Sequence, residues 1–139
     1  MDKSVIHSGG CLCGAIRYEA EGPALQTSLC HCEDCRRASG APFIAWTFFD
    51  PTRFRWTHGA PKSIVLAGRE RFFCGDCGTP LRFQDPDYPN LCELSTCSLD
   101  DPSAFPPTDQ CWVDDEIPWV PVIPELPRFR HTSPLPSDT

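Results

Sequence analysis

Ten of the 139 residues are cysteine, and seven of them fall into three clusters. Cys11-Leu12-Cys13 and Cys74-Gly75-Asp76-Cys77 are pairs, Cys30-His31-Cys32-Glu33-Asp34-Cys35 is a triplet, and Cys92, Cys97 and Cys111 stand alone. Zinc takes about four soft ligands in a tetrahedron, and two residues between cysteines let one tight turn aim both sulfurs at one ion. The two pairs supply four thiolates and fill one site. The triplet supplies three and leaves one position of a second site open. A closed four-ligand zinc is structural, whereas a three-ligand zinc keeps a place for water or substrate and acts as a Lewis acid. The ligand count therefore predicts a structural site at Cys11, Cys13, Cys74 and Cys77, and chemistry at Cys30, Cys32 and Cys35.

The competing reading of the triplet is a second structural zinc, completed by His31 or by one of Cys92, Cys97 and Cys111. His31 lies between two ligating neighbours and is expected to point away from the metal they share. The three single cysteines sit in strand-like apolar surroundings, where a free thiol behaves as a small buried hydrophobe. Cys111, beside Trp112, is the exception to watch, because a lone thiol on a late strand is a candidate redox nucleophile.

The elements that must position these sulfurs follow from geometry. Cysteines one residue apart on a flat strand point to opposite faces, so Cys11 with Cys13, and Cys30 with Cys32, must lie at strand ends that curl. Gly14 and Gly78 directly follow the pairs and allow a steep backbone turn there. Segments rich in β-branched and aromatic residues recur between turn signals at Ser4 to His7, Ala15 to Ala20, Gln26 to Leu29, Phe43 to Phe49, Phe54 to Trp56, Ser63 to Leu66, Arg71 to Phe73, Leu81 to Gln84 and Leu91 to Cys97. They read as short, mostly antiparallel strands. Glu33 to Ser39 reads as a two-turn helix ended by Gly40, with its first amides near the triplet sulfurs, which favours thiolate over thiol. A second short turn is predicted at Asp101-Pro102. Prolines crowd the end of the chain, at positions 118, 121, 124, 127, 134 and 136, so residues 121–139 are expected to form an extended or frayed tail on a domain of residues 1–120.

Lys plus Arg number 12 and Asp plus Glu 19, a formal charge of −7, which argues against nucleic acid or an anionic membrane as partner. No run of about 18 apolar residues is present, and Met1 to His7 lacks the apolar stretch of a signal peptide. A cytoplasmic protein is expected. In that reducing compartment abundant cysteine points to metal thiolates rather than disulfides.

Three stretches together resemble one known family: Gly10-Cys11-Leu12-Cys13-Gly14-Ala15-Ile16-Arg17-Tyr18, then Cys30-His31-Cys32-Glu33-Asp34-Cys35-Arg36-Arg37-Ala38-Ser39-Gly40-Ala41, then Phe73-Cys74-Gly75-Asp76-Cys77-Gly78-Thr79-Pro80-Leu81. In this order and spacing the chain resembles the glutathione-dependent formaldehyde-activating enzymes, from about Gly9 to Trp119; the same domain occurs in centromere protein V. The resemblance implies a mainly β, Mss4-like β-tent of short antiparallel sheets with zinc knuckles and one or two short helices. It also implies two zinc ions per chain: a structural one on Cys11, Cys13, Cys74 and Cys77, and a catalytic, labile one on Cys30, Cys32 and Cys35. The founding activity joins glutathione to formaldehyde to give S-hydroxymethylglutathione, nominally a carbon–sulfur lyase. Two places depart from the family pattern. Gln110-Cys111-Trp112 stands where His-Ile-Trp is common, which removes a candidate proton carrier, and Pro124-Glu125 stands where an acidic-Gly pair is common.

The expected activity is therefore addition of a thiol such as glutathione to a small aldehyde such as formaldehyde, or the reverse. Arg36 and Arg37 are candidates to hold substrate carboxylates, with a solvated helix face or ion pairs to Glu33 and Asp34 as the plainer explanation. Trp46 and Phe48 alternate on one strand face and serve as core or as pocket wall. The alternative to an enzyme of this kind is a non-catalytic, zinc-stabilised binding module of the same fold. A further rival is a sulfoxide reductase with Cys111 as nucleophile.

Overall fold

Apolar and polar residues alternate in several segments, as in Arg17–Glu21, and alternation of period two makes half-buried strands. The computed structural model describes residues 5–120, 123 and 125–136, so Ser4, Pro121 and Pro124 lie outside the described residues. The strands are β1 (Ile6–Gly10), β2 (Arg17–Glu21), β3 (Gln26–Cys30), β4 (Ile44–Phe49), β5 (Phe54–His58), β6 (Lys62–Leu66), β7 (Arg69–Phe73), β8 (Pro80–Gln84), β9 (Cys92–Ser95) and β10 (Asp109–Cys111), with one α-helix, α1 (Glu33–Ser39). A three-stranded sheet runs β1-β2-β5, and a seven-stranded sheet runs β10-β3-β4-β9-β8-β7-β6. All neighbouring pairs are antiparallel except β10 with β3. The expected mainly β architecture is thus the one observed.

Register sorts the large sheet into two faces. One transverse row reads Gln26, Phe48, Glu93, Phe83, Arg71, and the next reads Thr27, Thr47, Leu94, Arg82, Phe72. Successive side chains on a strand point opposite ways, so the two rows face opposite sides. The second face meets the small sheet, and between them lies the main core of Tyr18, Ala20, Phe49, Leu81, Cys92, Leu94, Leu99 and Phe105. Phe49, Leu81 and Leu94 are wholly buried, each contributing about 1.5–3 kcal/mol. Buried hydroxyls in this layer are mutually satisfied: Thr47 Oγ1 is 3.0 Å from Thr27 Oγ1 and 2.8 Å from Thr96 Oγ1, and Tyr18 Oη is 2.6 Å from Ser98 Oγ. The first face carries a second cluster of Cys30, Cys35, Trp46, Phe48 and Leu91, with Leu135 packed on it.

Helix α1 and its ends are as expected. Cys32 caps its start, Gly40 ends it at φ 67°, and the Gly40 amide donates to Arg36 O. The turn predicted at Asp101-Pro102 is a single 3-10 turn, Pro102–Ala104. Strand β10 was not expected; it is three residues long and follows Pro106-Pro107, too short for a periodic signal. It also organises the proline-rich tail. Gln110 N donates to Pro127 O, Phe129 N to Gln110 O and Trp112 N to His131 O, each near 2.9 Å. Ion pairs Arg128–Glu116 and Arg130–Asp114 follow on the surface. The described tail residues are therefore extended, docked on β10, and bring Ser133 and Leu135 over the first face of the sheet.

Candidate metal centres and active site

Four sulfurs from distant parts of the chain meet at the first centre. Cys11 and Cys13 follow the end of β1, Cys74 and Cys77 lie in the β7–β8 turn, and all four sulfurs lie within 4.8 Å of one another. Cys11 to Cys13 is 3.7 Å and Cys13 to Cys74 is 3.8 Å. A tetrahedron with metal–sulfur bonds of about 2.3 Å has edges of about 3.8 Å, so this donor set fits zinc. Each pair is a curled turn: Gly14 and Gly78 have φ near 80°, and their amides donate to Cys11 O and Cys74 O. Ile16 N points at Cys11 Sγ at 3.2 Å and Asp76 N at Cys74 Sγ at 3.4 Å, which offsets thiolate charge. The Thr79 hydroxyl and amide hold the Cys77 thiol down at about 5. The structure thus brings together the four cysteines expected to share one ion.

The triplet also gathers. Cys30 ends β3, Cys32 and Cys35 belong to the entry of α1, and their three sulfurs lie within 4.8 Å of one another. The Cys35 amide donates to Cys32 Sγ at 3.2 Å. Hydrogen bonds from Cys30 and Cys32, helped by the Trp46 indole and the Arg71 charge, pull the Cys35 thiol down to about 3 against burial. The same sharing raises Cys30, first through Cys111 and then through Cys32 and Cys35. The crowded sulfurs are thus pushed apart, Cys35 and Cys111 toward thiolate and Cys30 and Cys32 toward thiol, and a soft divalent cation would displace the protons that remain. All ten cysteines are free, as a metal-binding rather than disulfide reading requires.

His31 points away from the three sulfurs, as expected. It is 1% exposed, its Nε2 donates to Gln110 Oε1 at 3.0 Å, and it packs on Phe43. The single cysteines behave in three different ways. Cys92 is a buried hydrophobe, whereas Cys97 is exposed on the 3-10 turn Thr96–Ser98 and departs from that expectation. Cys111 pairs in register with Cys30, whose neighbouring sulfur holds the Cys111 thiol below its ordinary value, and Cys111 Sγ accepts from Ser28 Oγ at 3.5 Å.

Over the triplet opens a cavity of about 400 Å³. Cys30, Cys32, Cys35 and Cys111 line it, together with Trp46 and Phe48, which serve as core and as wall at once. Arg36 and Arg37 do not line it. Arg37 pairs with Glu33 at 3.1 Å, and Arg36 donates to His31 O, so the plainer explanation of that pair holds. The cations at the cavity are Arg69 and Arg71 of β7. Arg69 is tied to Asp85 at 3.1 Å, while Arg71 lies 4.6 Å over the Phe83 ring and has no ion pair among the described residues. Glu93 stands on the same floor. Sequence reasoning missed Arg69, Arg71 and Glu93; the readable signal was the one charge set between apolar neighbours in Leu91-Cys92-Glu93-Leu94, whereas Arg69 and Arg71 flank Glu70 in an ordinary charged run.

Fold and site together define a mainly β protein with two cysteine clusters compatible with zinc, one of four sulfurs linking two sheets and one of three sulfurs facing a cavity. The glutathione-dependent formaldehyde-activating enzyme (GFA) family matches residues 6–115, and the chain belongs to that family. An uncharacterised lyase of Schizosaccharomyces pombe is 35% identical over 77 residues, 55% of this chain and 56% of that protein. The match therefore spans about half the length of that relative. A crystal structure of a Rhodobacter sphaeroides protein superposes with a TM-score of 0.58 at 23% identity, over 67% of this chain and 87% of that one, and shares the fold.

Proposed function

We propose that this chain is a zinc-dependent carbon–sulfur lyase of the cytoplasm, which binds a small thiol such as glutathione at the triplet and adds it to, or releases it from, a small aldehyde such as formaldehyde. The observation that carries this reading is the contrast between the two centres: the triplet sulfurs line the 400 Å³ cavity and the four knuckle sulfurs do not. That volume falls within the range of small-ligand sites. Family membership and the lyase name of the yeast relative support the reaction class. A zinc held by Cys30, Cys32 and Cys35 would supply a Lewis acid with one coordination position for a thiol.

The chain's own residues do the rest. Arg71, which has no ion pair among the described residues, is placed to hold a carboxylate of the thiol substrate. Trp46, Phe48 and Phe83 give the floor an apolar surface that keeps water from the reacting carbon. Holding thiol and aldehyde side by side converts a bimolecular addition into a local one.

Native mass spectrometry of reduced protein, counting zinc per chain before and after glutathione titration, tests the reading. Two zinc ions and a saturable glutathione adduct that Cys32→Ser abolishes and Cys111→Ser retains are expected. Two zinc ions without any thiol adduct would point to a binding module instead.

A further inference from the structure

Glu93 has no role in the chemistry derived so far, yet it sits at the centre of the cavity floor. Register places it on β9 between Phe48 of β4 and Phe83 of β8, two strands from Arg71 along the same row. It is the only charge in the run Leu91-Cys92-Glu93-Leu94, whose other members are buried. Its carboxyl has no hydrogen bond or ion pair among the described residues. A partly buried carboxyl without a partner is costly to keep ionised, and packing alone does not call for one between two phenyl rings. Four thiols, Cys30, Cys32, Cys35 and Cys111, line the same cavity.

We propose that Glu93 is the proton carrier of the thiol–aldehyde reaction at this site. The proposal rests on the function proposed above. In the addition direction the Glu93 carboxylate takes the proton from the incoming thiol, the new carbon–sulfur bond forms as the carbonyl π bond breaks, and the carboxyl returns that proton to the carbonyl oxygen. The product is a hydroxyalkyl thioether. Cleavage is the reverse, with the hydroxyl proton passing through Glu93 to sulfur. Nothing is oxidised or reduced, and no further reactant is needed. Gln110, at the place where the family pattern has a histidine, cannot take this role, because it is turned to His31 and carries no titratable group.

The surroundings suit the task. Burial, together with the charges of Cys111 on β10 and Asp85 after β8, pushes the Glu93 carboxyl up to about 8, opposed by Arg71 on β7 and reinforced by Cys32 before α1. Both protonation forms are then populated near neutral pH, where a proton carrier works best.

The test uses zinc-loaded, reduced full-length protein and the variants Glu93→Gln and Glu93→Asp. Exchange between free and S-hydroxymethylated glutathione is followed by magnetisation-transfer NMR between about pH 5 and pH 9. Zinc count and glutathione adduct are read by native mass spectrometry, and the carboxylic C=O band by infrared difference spectroscopy. Glu93→Gln is expected to keep its zinc and its thiol adduct, lose about 100-fold or more of the exchange rate, lose one limb of the pH profile, and lack the carboxylic band that the parent protein shows at neutral pH. Glu93→Asp should retain the limb at an intermediate rate. A Glu93→Gln variant with the parent rate and profile, or one whose rate falls only in step with a lost thiol adduct, would overturn the proposal. Absence of the carboxylic band in the parent protein would do so as well. If the parent protein itself gives no acceleration, the thiol–aldehyde reading falls and takes this proposal with it, an outcome separable from failure in the variants alone.

Discussion

Removing the Cys74 and Cys77 thiols should destabilise the protein about twice as much as removing two triplet thiols, because the two centres close loops of very different length. The four-sulfur knuckle joins Cys13 to Cys74 across 61 residues and ties the three-stranded sheet to the seven-stranded one. A cross-link closing a loop of about 61 residues removes about 4 kcal/mol of chain entropy from the unfolded state. The triplet closes a loop of about five residues, for which the same expression gives about 2 kcal/mol. For a chain of this length 1 kcal/mol corresponds to about 3 °C at the midpoint. Cys74→Ser/Cys77→Ser is therefore expected to lower Tm by about 12 °C, and Cys30→Ser/Cys32→Ser by about 6 °C. Differential scanning calorimetry of the zinc-loaded, reduced proteins gives both numbers. Equal losses, or a larger loss from the triplet pair, would refute the assignment of the knuckle as the staple between sheets.

Three further outcomes follow from the same geometry. The triplet metal is expected to pass to a chromophoric chelator much faster than the knuckle metal, since the cavity exposes it from one side; two phases in a stopped-flow chelator assay would show this. Glu93 has a raised carboxyl, so the folded state binds more protons than the unfolded state between the ordinary glutamate range and about pH 8, and stability falls as pH rises through that window. Glu93→Gln should accordingly match the parent protein in Tm at pH 5 and exceed it at pH 9. Tyr18→Phe, which removes a hydroxyl 2.6 Å from Ser98 Oγ in the wholly buried core, should cost about 1 kcal/mol, because Ser98 keeps its 2.8 Å bond to Ser95 O; urea titration measures it.

The cysteine centres were legible because ligand spacing is a local property: a two-residue gap and a following glycine already specify a turn that aims two sulfurs at one point. The helix at the triplet was legible for the same reason, with Cys32 at one end and Gly40 at the other. The rest of the site was not local. Arg71, Glu93 and Cys111 come from β7, β9 and β10, and only the strand order of the large sheet brings them over the triplet. Arg36 and Arg37 looked better placed because they adjoin Cys35 in sequence, but each helical step turns about 100°, which carries both away from the cavity. Strand β10 carried no periodic signal in three residues. Without it nothing foretold that the proline-rich segment would lie along Gln110 and form part of the cavity wall.

The interleaving of two faces along each strand of the large sheet has a consequence for how this protein tolerates change. On β4, Trp46 and Phe48 belong to the cavity while Thr47 and Phe49 belong to the core; on β9, Glu93 belongs to the cavity while Cys92 and Leu94 belong to the core. Substitutions can alter either set independently. Insertion or deletion of a single residue inside β3, β4 or β9 would exchange the two sets beyond that point; on β9 it would place Cys92 or Leu94 where the Glu93 carboxyl stands and the carboxyl in the core. Length variation in this lineage should thus accumulate at the β6–β7 hairpin tip around Ala67-Gly68, where the exposed strand β6 has no such double duty.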